Sequence, residues 1–217
     1  KRYVNTMRDL AEVVHNDMVA QLFCIANFII STLNAPLNPG NPFVKYIKTE
    51  SPFVTLGQPD LHDLLHRAAR MALHAGWLQK ILFLRIRPEA FAFEVNRAKN
   101  GHNFGIHTDA LNSPTLQRVF QKNGNYLLPG AFREGSPLHP SYPAGHACIA
   151  GACSTILKAF FDGNRVIPQS YVANENQLQP IADKLSLGNE LDKLASNCAF
   201  GRNMAGIHYR SDGEEGI

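Results

Sequence analysis

The chain has 217 residues, of which 45% are hydrophobic and only 18% are charged, and its formal net charge is +3. This length predicts a single domain over residues 1–217 with a sizeable core. The sparse charge favours a chain that is buried on several sides, as in a homo-oligomer, and the lack of a basic run interleaved with aromatic residues excludes a nucleic-acid-binding protein.

The N-terminal part of the chain has a helical pattern. Apolar residues at steps of three and four predict one helix from Arg2 to Leu33. Its most apolar stretch, residues 18–33, is interrupted by Gln21 and Asn27 and is short for a bilayer, so we expect a buried helix and no membrane span. Residues 34–59 are rich in proline and predict a loop.

The middle of the chain predicts two helices and a long irregular segment. The first helix is expected to start from an N-cap at Asp60, and its pattern continues through Gly76 as far as Arg87. Pro88 suits the first turn of a second helix that ends near Ala98. Residues 99–140 are irregular, and a loop of that length is usually functional or covers a partner.

Two further helices are predicted in the C-terminal part, over residues 146–161 and 189–204. Small residues in the first of them, such as Ala147, Ala150 and Gly151, permit close helix packing. No stretch shows the clear apolar and polar alternation of a half-buried strand. The sequence therefore predicts an all-α protein, a helical bundle.

Lys80 and Arg87 are candidate anion ligands. They lie seven positions apart, which places both on one face of a helix, two turns from each other. Both cations could then reach the same anion. The alternative is a solvated basic face, which would have no functional role.

A second candidate element is Gly145-His146, which opens a predicted helix. Backbone N–H groups at a helix N-terminus bind oxyanions, and Gly145 permits close approach of a ligand. His146 is the expected general acid or base beside that ligand. A lone histidine at this position could instead serve as a helix cap.

Arg202 and His208 form the third candidate element. Six positions correspond to about 240° around a helix, so an uninterrupted helix would not direct both side chains to one point. Gly206 can break the helix and return His208 to the site. Asp212 could hold the second ring nitrogen of His208 and fix its tautomer, or it could be a helix N-cap.

These three elements, in this order, resemble the vanadium-dependent haloperoxidases, whose fold and anion pocket are shared with acid phosphatases and lipid phosphatases. The shared pattern is K-x6-R-P, then P-S-G-H, then G/A-R-x5-H, and the flanking residues 127–147 and 199–213 resemble the bromoperoxidase branch. Ala144 stands where the family has serine, so one hydroxyl donor to vanadate is missing.

The resemblance implies a vanadate cofactor and a role for each matching residue. Vanadate oxygens would be held by Lys80, Arg87, Arg202 and the Gly145 amide, and His208 would be the one protein ligand of the metal. Hydrogen peroxide would replace an oxygen ligand, with His146 moving the proton and Lys80 polarising the bound peroxide. Bromide or iodide would then be oxidised to hypohalous acid, which halogenates small organic acceptors.

Two residues are placed by the resemblance beside the halide and peroxide side of the pocket. Trp77 precedes Lys80 by one helical turn, although core packing is the alternative role for this side chain. His139 precedes His146 by seven positions and is expected to be a polar, titratable neighbour of the pocket. Histidine at this position resembles the bromoperoxidases, whereas phenylalanine there resembles the chloroperoxidases.

Two other functions remain open from the sequence. An acid phosphatase would use the same pocket for phosphate, with His208 as nucleophile and His146 as leaving-group acid. An oligomer subunit that binds phosphate inertly is the non-enzymatic alternative, supported by Ala144 alone. The segments around His139 and His208 favour the peroxidase, with phosphate as a competing anion. Family members are longer, so we expect this chain to be the catalytic C-terminal portion of a longer chain. We also expect a soluble protein that is either secreted or held in the cell envelope.

Overall fold

The computed structural model describes residues 3–18, 20–102 and 105–217. Within these ranges the chain forms ten helices and one two-stranded hairpin, so the predicted helical bundle is confirmed. The helices are α1 (Met7–Val13), α2 (Gln21–Thr32), α3 (Pro42–Lys45), α4 (Gln58–Phe83), α5 (Pro88–Lys99), α6 (Thr108–Leu111), α7 (Pro114–Asn123), α8 (Gly145–Phe160), α9 (Leu187–Met204) and α10 (Arg210–Glu214). The strands are β1 (Ser170–Asn174) and β2 (Gln177–Ile181).

The prediction of one N-terminal helix to Leu33 was wrong, and its start at Arg2 lies outside the described residues. Two helices, α1 and α2, are separated by residues 14–20. Thr6 starts α1 with a capping box. The separation follows from tertiary contacts, because the carbonyl of Val14 and the side chain of Asp17 are bound by residues of α9 and α8.

Helix α4 starts and ends at different residues from those predicted. Gly57 is its N-cap, and Asp60 lies inside the first turn, where its carboxylate accepts a hydrogen bond of 2.7 Å from the Leu56 amide. The early start suits Pro59. This residue has no backbone N–H, and an N–H in the first turn would have no intrahelical acceptor. At the other end the helix stops at Phe83, not at Arg87.

The break between α4 and α5 has a clear backbone cause. Leu84 adopts a left-handed conformation with φ of 47°, and its amide closes the last turn on the carbonyl of Lys80. Arg87 is extended, with ψ of 152°, because Pro88 disfavours the helical region in the residue before it. Helix α5 then starts at Pro88 as predicted and ends one residue beyond the predicted limit.

The C-terminal helices were predicted to within about two residues, but the hairpin was missed. Strands β1 and β2 pair antiparallel, from Ser170 opposite Ile181 to Asn174 opposite Gln177. Both strands are largely exposed, so neither needs the alternation that would have marked it in the sequence. The irregular segment 99–140 contains two short helices, α6 and α7.

Helices α2, α4, α8 and α9 enclose the main core. Its buried side chains include Phe23, Leu61, Leu65, Leu157 and Leu191. The predicted close packing of α8 is confirmed, because Ala150 is fully buried in this core and Ala147 is fully buried against Ala144 and Ala199. Among the described residues, no helix combines the length and the apolar character needed to cross a bilayer.

Candidate anion-binding active site

Lys80 lies in the last turn of α4 and is only 1% exposed. Its ammonium group donates to the carbonyls of Pro140, Ser141 and Pro143, at 2.8, 3.2 and 2.5 Å. Burial, together with the charge of Arg87, lowers the pKa of Lys80 to about 8. Lys80 is therefore a buried cation near neutral pH, and it lies against the segment that leads into α8.

Arg87 meets the site from outside α4, so the prediction of a shared helix face with Lys80 was wrong. The guanidinium donates to the carbonyls of His139 and Ile207, both at 2.9 Å, and to Nε2 of His208 at 3.0 Å. The helix break at residues 84–87 is what brings this side chain to His208. Burial lowers the pKa of Arg87 to about 10, which leaves it charged at neutral pH.

Arg202, the third predicted cation, lies in the last turn of α9, and its charge contributes to lowering the pKa of Arg87. It donates to the carbonyl of Val14 at 2.6 Å, and its guanidinium lies 5.6 Å from the ring centre of Phe132. Its Nε is buried and has no hydrogen-bond partner within the described part of the chain. A buried, charged donor without a partner is costly, and an anionic acceptor would satisfy it.

His208 returns to the site through the predicted break at Gly206, whose φ is +80°. The side chain is 3% exposed, and its Nδ1 donates to Asp212 at 3.0 Å. Since Arg87 can only donate, Nε2 is the acceptor nitrogen of the ring, and its lone pair receives this hydrogen bond. Burial, with the charges of Arg87 and Lys80, lowers the pKa of His208 to about 4, so the imidazole is neutral and able to act as a ligand.

Asp212 makes the contact with His208 that the sequence suggested, and the alternative role as an N-cap is wrong. It lies in the first turn of α10, after the N-cap Tyr209. The carboxylate is fully buried and also accepts from the Tyr209 amide at 3.0 Å and from Arg85 at 2.8 Å. Burial raises its pKa, but these hydrogen bonds outweigh that effect and the pKa is lowered.

His146 is the second residue of α8, and its partner was not predicted from the sequence. Nε2 donates to the carboxylate of Asp17 at 2.8 Å. Burial raises the pKa of Asp17, but the hydrogen bond from His146 outweighs it and the pKa is lowered. The polar triplet His15-Asn16-Asp17 inside an otherwise apolar pattern was the available signal for a break at this point.

Gly145 and Ala144 form the start of α8. Packing does not require glycine at position 145, because an added Cβ would lie 3.4 Å from the Leu73 side chain, an ordinary contact. Ala144 is fully buried, and its amide donates to the carbonyl of Asp212 at 2.8 Å, so it links the segment of His146 to that of His208.

Trp77 and His139 form a pair at the edge of the site, with ring centres 4.8 Å apart. Trp77 is 43% exposed, so the alternative of core packing is wrong for the described chain. His139 receives a hydrogen bond of 3.1 Å from Arg87 at Nδ1. Burial and the charge of Arg87 lower the pKa of His139 to about 4, so this polar neighbour is neutral at neutral pH.

The donor set fits a tetrahedral oxyanion such as vanadate or phosphate. Three buried cations, Lys80, Arg87 and Arg202, are offset within the described residues by two buried carboxylates, Asp17 and Asp212. The excess positive charge favours an anion. Across the same residues there is no cluster of three histidine, cysteine or carboxylate side chains that could hold a metal cation.

Comparison with known proteins identifies relatives of this arrangement. A family model described as the VCPO second helical-bundle domain matches residues 61–217. The chain is 37% identical to the vanadium-dependent bromoperoxidase of Corallina officinalis, over all of this chain and 41% of that protein. It is 36% identical to the vanadium-dependent bromoperoxidase of Ascophyllum nodosum, over all of this chain and 42% of that protein.

A solved structure is similar over nearly the whole chain. It is the homohexameric structure of the second vanadate-dependent bromoperoxidase of Ascophyllum nodosum, with a TM-score of 0.87 and 27% identity. The match covers 99% of this chain and 41% of that one. The chain thus spans about two-fifths of the length of the relatives it matches.

Proposed function

Because this chain belongs to the vanadium-dependent haloperoxidase family, in its bromoperoxidase branch, we propose that residues 1–217 form the catalytic portion of a bromide peroxidase. Hydrogen peroxide would oxidise bromide or iodide to hypohalous acid, which halogenates small organic acceptors. The observation that carries this proposal is His208, a neutral buried imidazole whose Nε2 lone pair faces a group of buried cations.

The residues present fit vanadate as a cofactor. Lys80, Arg87 and Arg202 would neutralise its oxygens, and the amide of Gly145 would donate from the N-terminus of α8. Nε2 of His208 would be the one protein ligand of vanadium. Arg87 would exchange its hydrogen bond to this nitrogen for one to an oxygen of the cofactor.

Bound vanadate would supply a Lewis acid that activates hydrogen peroxide without a change in its own oxidation state. His146 would accept and return the proton that peroxide loses, and Asp17 would stabilise the charged imidazole through Nε2. Lys80 would place a positive charge beside the reacting oxygens, and the effect of this charge is strong because the cation is buried. Trp77 and His139 would line the approach of the halide.

A homo-oligomer is part of the proposal. The C-terminal half of α4 exposes large apolar side chains, with Leu78, Ile81, Leu82 and Phe83 each between 58% and 65% exposed. Such a continuous apolar surface is a typical protein contact. Light scattering combined with size-exclusion chromatography would test this assembly, and fractionation of the source cells would test the proposed secretion or cell-envelope location.

The decisive experiment is bromination by the full-length protein, assayed with hydrogen peroxide and bromide before and after reconstitution with vanadate. We expect activity only after reconstitution, and we expect phosphate to inhibit reconstitution because the two anions share charge and shape. Hydrolysis of a phosphomonoester without any bromination would instead identify an acid phosphatase. Binding of phosphate with neither activity would identify an inert subunit.

A further inference from the structure

Arg85 is a cation next to the site that the roles above leave unused. It follows the left-handed residue Leu84, so the break at the end of α4 turns it away from the helix axis. Its carbonyl accepts a hydrogen bond of 2.9 Å from the Ser141 amide, which fixes the backbone. Its guanidinium donates through Nη1 to the carboxylate of Asp212 and to the hydroxyl of Ser211, both at 2.8 Å.

Two aromatic rings hold this guanidinium in place. The charged group lies 4.7 Å from the ring centre of Tyr142 and 5.8 Å from that of Tyr209. The side chain of Arg85 is 40% exposed, and an ion pair with so much contact with water would ordinarily be mobile. Contact with the two ring faces restricts the planar guanidinium and keeps its donors directed at Asp212.

The contact matters because Asp212 divides its two oxygens between different donors. Oδ1 accepts from Arg85, whereas Oδ2 accepts from the Tyr209 amide and from Nδ1 of His208. Without the donor on Oδ1, one oxygen of a fully buried carboxylate would lose its charged partner. The carboxylate could then rotate, and this rotation would release Nδ1 of His208.

We propose that Arg85 is a positioning residue of the site. It acts through Asp212 to keep the ring proton of His208 on Nδ1, so that the lone pair of Nε2 remains directed at the cation group. This inference rests on the proposed function, in which Nε2 is the ligand of vanadium. Partners of this kind orient a ligating histidine and raise its basicity.

The test compares Arg85→Met with Arg210→Met in the full-length protein. Arg210 is a matched control because it also pairs with an acidic residue next to the site, Glu214, but is 81% exposed and does not touch Asp212. We expect Arg85→Met to weaken vanadate binding about 10-fold, the lower end of the range for partners of metal ligands. The control should bind as the wild type does.

A second measurement separates this inference from the proposed function. Nuclear magnetic resonance of ¹⁵N-labelled histidine, without vanadate, reports which nitrogen of His208 carries the proton. We expect the Nδ1–H form in the wild type and in Arg210→Met, and a mixture of tautomers in Arg85→Met and in Arg85→Gln, which keeps a planar polar group near Tyr142 but loses the charge. A wild type that does not bind vanadate would contradict the proposed function, while the tautomers would still decide the role of Arg85. Wild-type tautomer populations in both Arg85 variants would overturn that role.

Discussion

His208 and His146 are each paired with a carboxylate, and the two pairs differ in almost every physical respect. His208 and Asp212 lie four positions apart, both side chains are at most 3% exposed, and the carboxylate accepts from three donors. His146 and Asp17 are 129 positions apart, with side chains that are 16% and 8% exposed. One buried oxygen of Asp17 has no partner within the described part of the chain.

The difference between the two pairs indicates that they have separate roles. A fully buried ring with a saturated partner has one tautomer and one orientation, which suits a permanent ligand. A ring that is partly open to solvent, with a partner that has spare hydrogen-bonding capacity, can gain and lose a proton with little rearrangement. We therefore expect the His208 pair to govern cofactor retention and the His146 pair to govern turnover.

The largest effect is expected when the His208 pair is broken. His208→Ala removes the single proposed protein bond to vanadium, so we expect vanadate affinity to fall by more than about 100-fold, beyond the range for outer partners. The vanadium content of the purified protein after dialysis measures retention, with His146→Ala as the control. An equal loss of vanadium in both variants would contradict the separate roles of the two pairs.

A second test addresses the His146 pair. General acid–base catalysis contributes about 10²–10⁴-fold to rate, so we expect His146→Ala to lower kcat for bromination by at least about 100-fold. The loss of one hydrogen bond would weaken vanadate binding by only about 0.5–1.5 kcal/mol. Asp17→Asn should likewise lower kcat more than it lowers vanadate affinity, but the loss of kcat should be smaller than in His146→Ala. If Asp17→Asn lost vanadate but kept kcat, the pair would be structural.

The pH dependence of anion binding tests the role of Lys80, the cation next to the His146 segment. Lys80 has its pKa lowered to about 8, so the free site loses this positive charge as the pH rises through 8. A hydrogen bond to a charged group is worth about 1.5–3 kcal/mol, so we expect anion affinity to fall about 10-fold or more above that pH. Calorimetry with sulfate, whose charge is constant over this range, avoids titration of the ligand. This fall in anion affinity should be absent in Lys80→Met. A fall that persists in the variant would be caused by another titrating group.

Ala144 connects the two pairs, since its amide binds Asp212 and it immediately precedes Gly145-His146. Ala144→Ser adds a donor, and a charge-assisted hydrogen bond is worth about 1.5–3 kcal/mol before the cost of displacing water. We expect a modest gain in vanadate affinity, measured by titration of both proteins at one pH. Weaker binding would mean that the buried methyl group is required by packing.

The smallest effect concerns halide choice, at the edge of the site, where His139 and His208 both bind Arg87. We expect oxidation of bromide and iodide with little oxidation of chloride, which is the hardest of the three to oxidise. His139 is polar although neutral, and phenylalanine would exclude water and strengthen the pull of the nearby cations on peroxide. His139→Phe should raise the chloride-to-bromide rate ratio, measured at fixed peroxide and pH. A wild type that chlorinates as fast as it brominates would refute this, as would an unchanged ratio in the variant.

Local chemistry explains which parts of the fold could be predicted. The start of α5 at Pro88 and the break at Gly206 follow from the backbone restrictions of proline and the freedom of glycine, which act within a few residues. The separation of α1 from α2 was missed because it depends on Arg202 and His146, which lie more than a hundred positions away. The hairpin was missed because its exposed strands carry no core-facing pattern.

The sequence by itself determined the chemical inventory of the site: Lys80, Arg87, Arg202, His146 and His208, in an order that suits an oxyanion. It also determined that Asp212 can reach His208, since four positions across one turn bring the two side chains together. Only the tertiary structure decided how Arg87 enters the site, which carboxylate serves His146, and that Arg85 supports Asp212. These contacts join segments distant in the chain, and burial sets both their geometry and the charge of each group, neither of which is encoded in local spacing.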